Sequence, residues 1–158
     1  MKELACFEIK GSPSTRTAQQ RGERIVNGRY IHHYEKKEVT RAKAQLADAL
    51  LNHVPDEPYD CPIYLRVLWL FAKKSLPKKR ELTFKTERPD TDNLVKMLKD
   101  VMTDVGFWTD DSKVVKEDLM KGYSNEMPGL FIQILALDND FDRNLITDWR
   151  ITEGGRHE

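Results

Sequence analysis

The sequence has no long apolar run: the longest, residues 67–72, spans six positions, against the ~20 that a helical membrane span needs. It has no excess of either charge, with 26 Lys+Arg against 26 Asp+Glu. A globally basic chain that coats nucleic acid is thereby excluded, and any such contact must come from local charge. Cysteine is scarce. Cys6 and Cys61 lack the CxxC or Cys/His spacing of a zinc site and read as two reduced thiols. The opening residues, MKELACFEIKG, include Glu3 and Glu8 and no apolar stretch, so no secretory signal is expected there. No repeat, heptad array or low-complexity tract runs through the chain. These absences point to a cytoplasmic protein with no membrane segment.

What is present is a chain of 158 residues, 39% hydrophobic and 33% charged, enough apolar content for one domain with a lean core. Residues 5–10 alternate weakly and predict a first strand. Residues 11–22 (GSPSTRTAQQRG) are polar with turn formers and predict an exposed, mobile loop. Two β-prone stretches, 24–26 and 29–31, flank Asn27-Gly28, the dipeptide that supplies two positive-φ positions for a type I′ hairpin. From Lys37 the period changes. Val39, Ala42, Leu46, Ala49, Leu50 and His53 recur at three- and four-residue steps, a helix of about four turns that Pro55 ends.

Residues 62–72 (PIYLRVLWLFA) are apolar on both alternating faces apart from Arg66, as expected of a central strand covered on both sides. A second helix is predicted over about 90–105, with Leu94, Met97, Leu98, Val101, Met102 and Val105 on one stripe and Gly106 as its terminator. Strands at 114–123 and 130–137 follow around a Gly/Pro/Asn turn. The order β, β-hairpin, α, β, α, β, β predicts an α+β fold: one mixed domain over residues 1–137, a single β-sheet with two main helices packed on it. Residues 138–158 are a C-terminal extension, with Phe141, Leu145, Ile146 and Trp149 available to pack in part before the end frays.

Chemistry concentrates in one region: Arg88-Pro89-Asp90-Thr91-Asp92-Asn93-Leu94-Val95-Lys96, then Gly106-Phe107-Trp108-Thr109-Asp110-Asp111. Pro89 biases Arg88 toward extended backbone, so Asp90 and Asp92 flank a helix start. In extended backbone the alternate spacing would point both carboxylates the same way. Lys96 follows Asp92 by one helical turn on the same face. Each feature has a plain structural alternative: Asp90 as an N-cap, Asp92 with Lys96 as a surface ion pair, Asp110-Asp111 as a solvated turn. Two acidic clusters about 20 residues apart and beside a basic segment favour a shared role. Gathered together, such carboxylates would repel unless a cation neutralised them, and all-oxygen ligands suit Mg²⁺ or Mn²⁺ rather than zinc. From Asp92 to Asp104 the helix rises about 18 Å, and an extended return from 105 to 111 reaches roughly 23 Å. Closure within one chain and donation of Asp111 by a second subunit both remain open.

The pattern Pro89-Asp90-x-Asp92-Asn93-Leu94-x-Lys96, followed by Asp100, Gly106-Phe107-Trp108 and Asp110-Asp111-x-x-Val114, resembles the signature of the RusA family of Holliday junction resolvases, which phages and prophages often encode. The resemblance covers about residues 87–121, including the basic Lys121. It implies a homodimeric, Mg²⁺-dependent, structure-selective endodeoxyribonuclease that makes paired symmetric nicks in four-way DNA junctions. It places Asp90, Asp92 and Asp111 on the family's catalytic, metal-binding acidic positions, Lys96 on its essential lysine and Asp110 on an adjacent acidic position that is expected to join the metal ligands. In that reading the carboxylates hold one or two Mg²⁺ ions that activate a water, and Lys96 steadies the developing negative charge. A bacterial or phage-infected cell is the expected setting. The alternatives are a less selective flap or fork nuclease and a non-catalytic junction-binding protein.

Sequence-independent grip on DNA is expected from the segment KKSLPKKRELTFKTER, seven Lys/Arg against two Glu. Its basic residues are Lys73, Lys74, Lys78, Lys79, Arg80, Lys85 and Arg88, the resemblance adds Lys121, and Arg16, Arg21 and Arg29 are lesser candidates. His32 and His33 are adjacent on a strand and point to opposite faces, so they do not share a metal. His53, Phe107 and Trp108 are expected to pack.

Overall fold

A computed structural model of the chain describes residues 1–17, 21–26, 30–76 and 82–140. The elements run β1 (Lys2–Lys10), β2 (Arg21–Val26), β3 (Tyr30–Glu35), α1 (Lys37–Leu50), β4 (Ile63–Phe71), β5 (Thr83–Phe84), α2 (Thr91–Val105), β6 (Val114–Tyr123) and β7 (Gly129–Ala136). Five strands form one sheet in the order β1-β7-β4-β6-β5, and β2 pairs with β3 in a separate ribbon. The sheet is mixed: β4 lies parallel to β6 and antiparallel to β7. The α+β class, the single mixed sheet and the two helices agree with the sequence pattern.

In β4 the odd positions Ile63, Leu65, Val67, Trp69 and Phe71 are buried, and they share one core with Leu94, Val95, Leu98, Val101 and Met102 of α2 and with Leu130, Ile132 and Ile134 of β7. Cutting any one of these large side chains to Ala leaves a cavity, at a cost of about 2–5 kcal/mol. The opposite face differs from expectation. Tyr64 and Leu68 are half-buried and Arg66 is exposed, pairing with Asp118 at 3.2 Å and donating to Gln133. The apolar run in β4 predicted cover on both sides. Both helices instead pack on one side, and the other face carries a polar lattice across β4, β6 and β7.

Helix α1 ends at Leu50, continues as a 3-10 turn over Leu51–His53 and becomes extended at Val54, the conformation a residue before proline prefers. Helix α2 ends at Gly106 with φ +99, its N–H bonded to Met102 O and Thr103 O while Phe107 N reaches Met102 O at 2.9 Å. That left-handed cap places Phe107 and Trp108 in the core, at 0% and 1% exposure. Trp108 Nε1 donates to Thr103 Oγ1 at 2.8 Å. His53 stacks on Phe7 with ring centroids 4.1 Å apart. Strand β1 begins earlier than the pattern showed because its first residues pair with the end of β7. The Asn27-Gly28 turn, the tip of the basic segment at 77–81 and the extension from 141 onward lie outside the described residues. Among the described residues no helix is long and apolar enough to cross a membrane.

Candidate active site

Asp90 is the N-cap of α2, with extended backbone (φ −74, ψ 154), and its carbonyl accepts from Leu94 N at 3.1 Å. Its side chain makes no capping hydrogen bond. The carboxylate that would ordinarily satisfy the first N–H groups of a helix is therefore left exposed to solvent. Asp92 lies in the first helical turn rather than in extended chain, so the two carboxylates share the helix N-terminus through adjacency, where the helix dipole favours negative charge. Lys96 is one turn further along. All three side chains are exposed, and among the described residues no ion pair joins Asp92 to Lys96. Neither the capping nor the surface-pair alternative accounts for them. Beside them Asn93 Oδ1 is the one buried side-chain oxygen or nitrogen among the described residues without a hydrogen-bond partner.

The second acidic cluster sits elsewhere. After Gly106 the chain turns through a bridge between Trp108 and Tyr59 and forms a 3-10 turn at Asp111–Lys113 before β6 begins. Asp110 caps that turn: its Oδ1 accepts from Ser112 N at 2.8 Å, and the Ser112 hydrogen bonds hold its carboxyl below the usual carboxylate range. Lys113 is paired with Asp60; this contact raises the Lys113 pKa and lowers that of Asp60. Asp111 is exposed.

Strand β6 then runs back along α2, tied at mid-length by Lys99 Nζ to Glu117 Oε1 at 2.7 Å. It reaches the helix N-terminus only at Lys121, whose Nζ donates to Pro89 O at 2.7 Å and to Glu87 O at 3.0 Å. The seven strand steps from Val114 to Lys121 span about 23 Å, close to the roughly 22 Å length of α2. Asp90 and Asp92 thus sit at one end of α2 and Asp110 and Asp111 at the other. Among the described residues no group of three or more His, Cys, Asp and Glu side chains is placed to hold a metal ion. Closure within one chain, which chain length alone allowed, is not what the fold provides. The return path runs after Asp111, not before it.

The loop entering the motif is held from below. Lys85 is 6% exposed and donates to Tyr123 OH at 3.0 Å. Tyr123 OH donates to Glu87 Oε2 at 3.0 Å, and Lys73 Nζ contacts Glu87 Oε1 at 3.1 Å while lying 4.5 Å from the Tyr123 ring centroid. The Glu87 backbone amide, Lys73 and Tyr123 together lower the Glu87 pKa to about 2. Glu87 and Tyr123 were not singled out by sequence reasoning. The signal was there: Lys121 and Tyr123 are two apart on a strand, so they share a face.

A model of the endodeoxyribonuclease RusA family matches residues 10–135. The chain is also 36% identical over 113 residues to the crossover junction endodeoxyribonuclease rusA of Lactococcus phage r1t, covering 69% of this chain and 79% of that protein. The chain belongs to the RusA family. It is accordingly an endodeoxyribonuclease, a hydrolase, and both acidic clusters, Lys96 and Lys121 lie inside the matched region.

Within this RusA chain the basic residues expected at a DNA surface divide. Lys74 and Arg88 are exposed. Lys73 is tied to Glu87, Lys121 is turned onto the Glu87 and Pro89 carbonyls, and Lys85 is buried under Tyr123. Lys85 was expected to face phosphate and instead braces the loop, because its ammonium donates to Tyr123 OH and lies over the Phe71 and Tyr123 rings inside the domain. Lys78, Lys79 and Arg80 lie outside the described residues.

Proposed function

We propose that this RusA-family endodeoxyribonuclease resolves four-way DNA junctions in a Mg²⁺-dependent reaction, as a homodimer that places one symmetric nick per site. The observation that carries the reading is the set Asp90, Asp92 and Lys96, exposed and unpaired at the start of α2. The relative from phage r1t is named a crossover junction nuclease, and a two-fold dimer matches the two-fold symmetry of a junction that needs two cuts. Such a substrate belongs to the cytoplasm of a bacterial or phage-infected cell.

The donor set suits a hard cation. Asp90 does not spend its carboxylate on the helix cap and Asp92 does not spend its own on Lys96, so both would hold Mg²⁺, and Asp111, a helix length away in the same chain, would join them as third ligand only when supplied by a second copy in the dimer. Bound there, the ion would supply Lewis-acid polarisation of the phosphodiester and a more acidic water. Lys96 is a compact cation one turn above Asp92 and would balance charge on the non-bridging oxygens as it grows. Hydrolysis forms a bond from the water oxygen to phosphorus and breaks the bond to the 3′ oxygen, which takes up a proton, leaving 5′-phosphate and 3′-hydroxyl ends. Asp110, by capping the 3-10 turn, would orient Asp111. The N–H···O bonds from Lys121 would fix the backbone just before Asp90. Lys74 and Arg88, with Lys78, Lys79 and Arg80, would follow phosphates alongside.

Cleavage of synthetic fixed and mobile junctions, flaps and linear duplex with and without Mg²⁺ tests the reading. Paired symmetric nicks in the junction, lost in Asp90→Asn and Asp92→Asn, are expected. Equal cleavage of flaps would favour a broader fork nuclease. Full activity of Asp92→Asn would overturn the assignment of the metal site.

A further inference from the structure

Hydrophobic partition is inverted at β5. In an extended segment successive side chains point to opposite sides, so Leu82 and Phe84 share one side and Thr83 and Lys85 the other. Lys85 is turned inward, its ammonium 5.0 Å from the Tyr123 ring centroid and 5.5 Å from that of Phe71. Phe84 is 78% and Leu82 61% exposed. A slip of one residue would bury the phenyl ring and free the ammonium, but the pairing holds the register. Thr83 and Phe84 pair with Tyr123 and Gly122, and Lys85 N donates to Lys121 O at 3.2 Å. Gly122, opposite Phe84, brings no side chain to cover the ring, and a Cβ there would come within 2.9 Å of Thr83 O. Of the aromatic side chains described, Phe84 alone is exposed.

The surroundings of the ring are cationic. Exposed Lys74 and Arg88 lie before and after β5 in the chain, and Lys78, Lys79 and Arg80 stand just ahead of it in the sequence. Glu87, one of two acidic residues between 73 and 88, is already held by Lys73 at 3.1 Å. Cations of this kind follow phosphates, and an aromatic ring among them meets the bases that the phosphates carry. Bases inside a continuous duplex are stacked on one another, whereas an unpaired or branch-point base offers a free face, and stacking on an aromatic ring accepts any base. Six residues of chain lead from Phe84 to Asp90, at most ~20 Å, or about six steps along one DNA strand. That stretch is braced at Glu87 and Pro89 by Lys73, Tyr123 and Lys121, so the ring keeps a fixed spacing from the carboxylates.

Resting on the resolvase reading, we infer that Phe84, with Leu82 at its side, is a stacking platform for an unpaired or branch-point base, and that this ring makes the protein prefer branched DNA to linear duplex. The lysines and arginines meet every phosphate alike. The ring meets a feature that only interrupted stacking presents.

Binding without Mg²⁺ to a four-way junction, a duplex with a one-base bulge and a linear duplex tests the platform in wild type, Phe84→Ala, Phe84→Leu and Phe84→Trp. Because the ring is exposed, none of these substitutions should move the urea midpoint. Wild type should favour the junction and the bulge. Phe84→Ala should weaken both by about 5- to 100-fold and leave duplex affinity within about twofold. The slope of log affinity against log salt should stay the same, since no charge is removed. Phe84→Trp should retain the preference, and Phe84→Leu, apolar but without a flat face, should lose it as Phe84→Ala does. Equal affinity of wild type for all three DNAs would overturn the platform, as would a Phe84→Ala protein that loses nothing or loses equally on each, or a Phe84→Leu protein that keeps the preference. Light scattering without DNA checks the competing role: a Phe84→Ala protein of smaller mass than wild type would assign the ring to a contact between protein chains and overturn the platform. A preference for the bulge but not the junction, lost in Phe84→Ala, would uphold the platform and overturn the resolvase reading, which the Mg²⁺ cleavage assay judges separately.

Discussion

Lys121→Met removes the ammonium that ties β6 to the loop entering the acidic motif while keeping most of the aliphatic stem. The lysine makes two hydrogen bonds, 2.7 Å to Pro89 O and 3.0 Å to Glu87 O. Hydrogen bonds to charged groups contribute about 1.5–3 kcal/mol, and the half-buried position puts the net loss for this pair near that range. Asp90 is the next residue, so the lost order is expected where geometry matters most. At about 1.4 kcal/mol per tenfold, kcat for junction cleavage should fall roughly 10- to 100-fold, with KM for DNA little changed. A phosphate contact would behave differently, since losing one reduces the slope of log affinity against log salt by about 0.9. Single-turnover cleavage and binding across a salt series separate the two. An unchanged kcat with a shallower salt slope would refute the positioning role and return Lys121 to the DNA surface.

Asp110→Ala should uncap the 3-10 turn and lower cleavage about tenfold, as for a residue that orients a ligand, whereas Asp111→Asn should abolish cleavage and leave the urea midpoint in place. Trp108→Ala should cost about 3–5 kcal/mol in urea unfolding, because the ring is fully enclosed; Trp108→Phe, losing mainly the hydrogen bond to Thr103, should cost nearer 1 kcal/mol. Glu87 has a folded pKa lowered to about 2, so its stabilisation is complete above its unfolded value, roughly 4.3, and fades as pH falls toward 2. Acid titration of stability in wild type and Glu87→Gln should therefore converge at the acid end, separate progressively between about pH 2 and 4.5, and keep a constant gap above. Parallel curves across that window would refute the Lys73–Glu87–Tyr123 account.

The main elements were legible because each writes a local period or a local stop. The α2 stripe of Leu94, Met97, Leu98, Val101 and Met102 repeats at helical spacing, and Gly106 is the residue that takes φ +99 without strain. Strands β6 and β7 lie within one residue of their expected bounds. The short β5 was missed: two residues carry no period, and pairing to Gly122 and Tyr123 alone makes it a strand. The one-sided cover of β4 was misread for a similar reason. Tyr64, Leu68 and Leu70 are apolar enough for a buried face, and only the placement of both helices on the other side left Tyr64 and Leu68 partly open.

The linear order of residues determined which side chains are available for chemistry: four candidate carboxylates, a lysine one turn from Asp92, and a basic stretch before them. It could not determine which of them meet, because helix rise and chain reach set only an upper bound on distance. The tertiary structure decided that by running β6 antiparallel to α2, which puts Asp111 a full helix length from Asp90 in the same chain. It also decided that Lys85 and Lys121 face inward, since a charge run says nothing of orientation until Tyr123, Glu87 and the Pro89 carbonyl are in place to receive them.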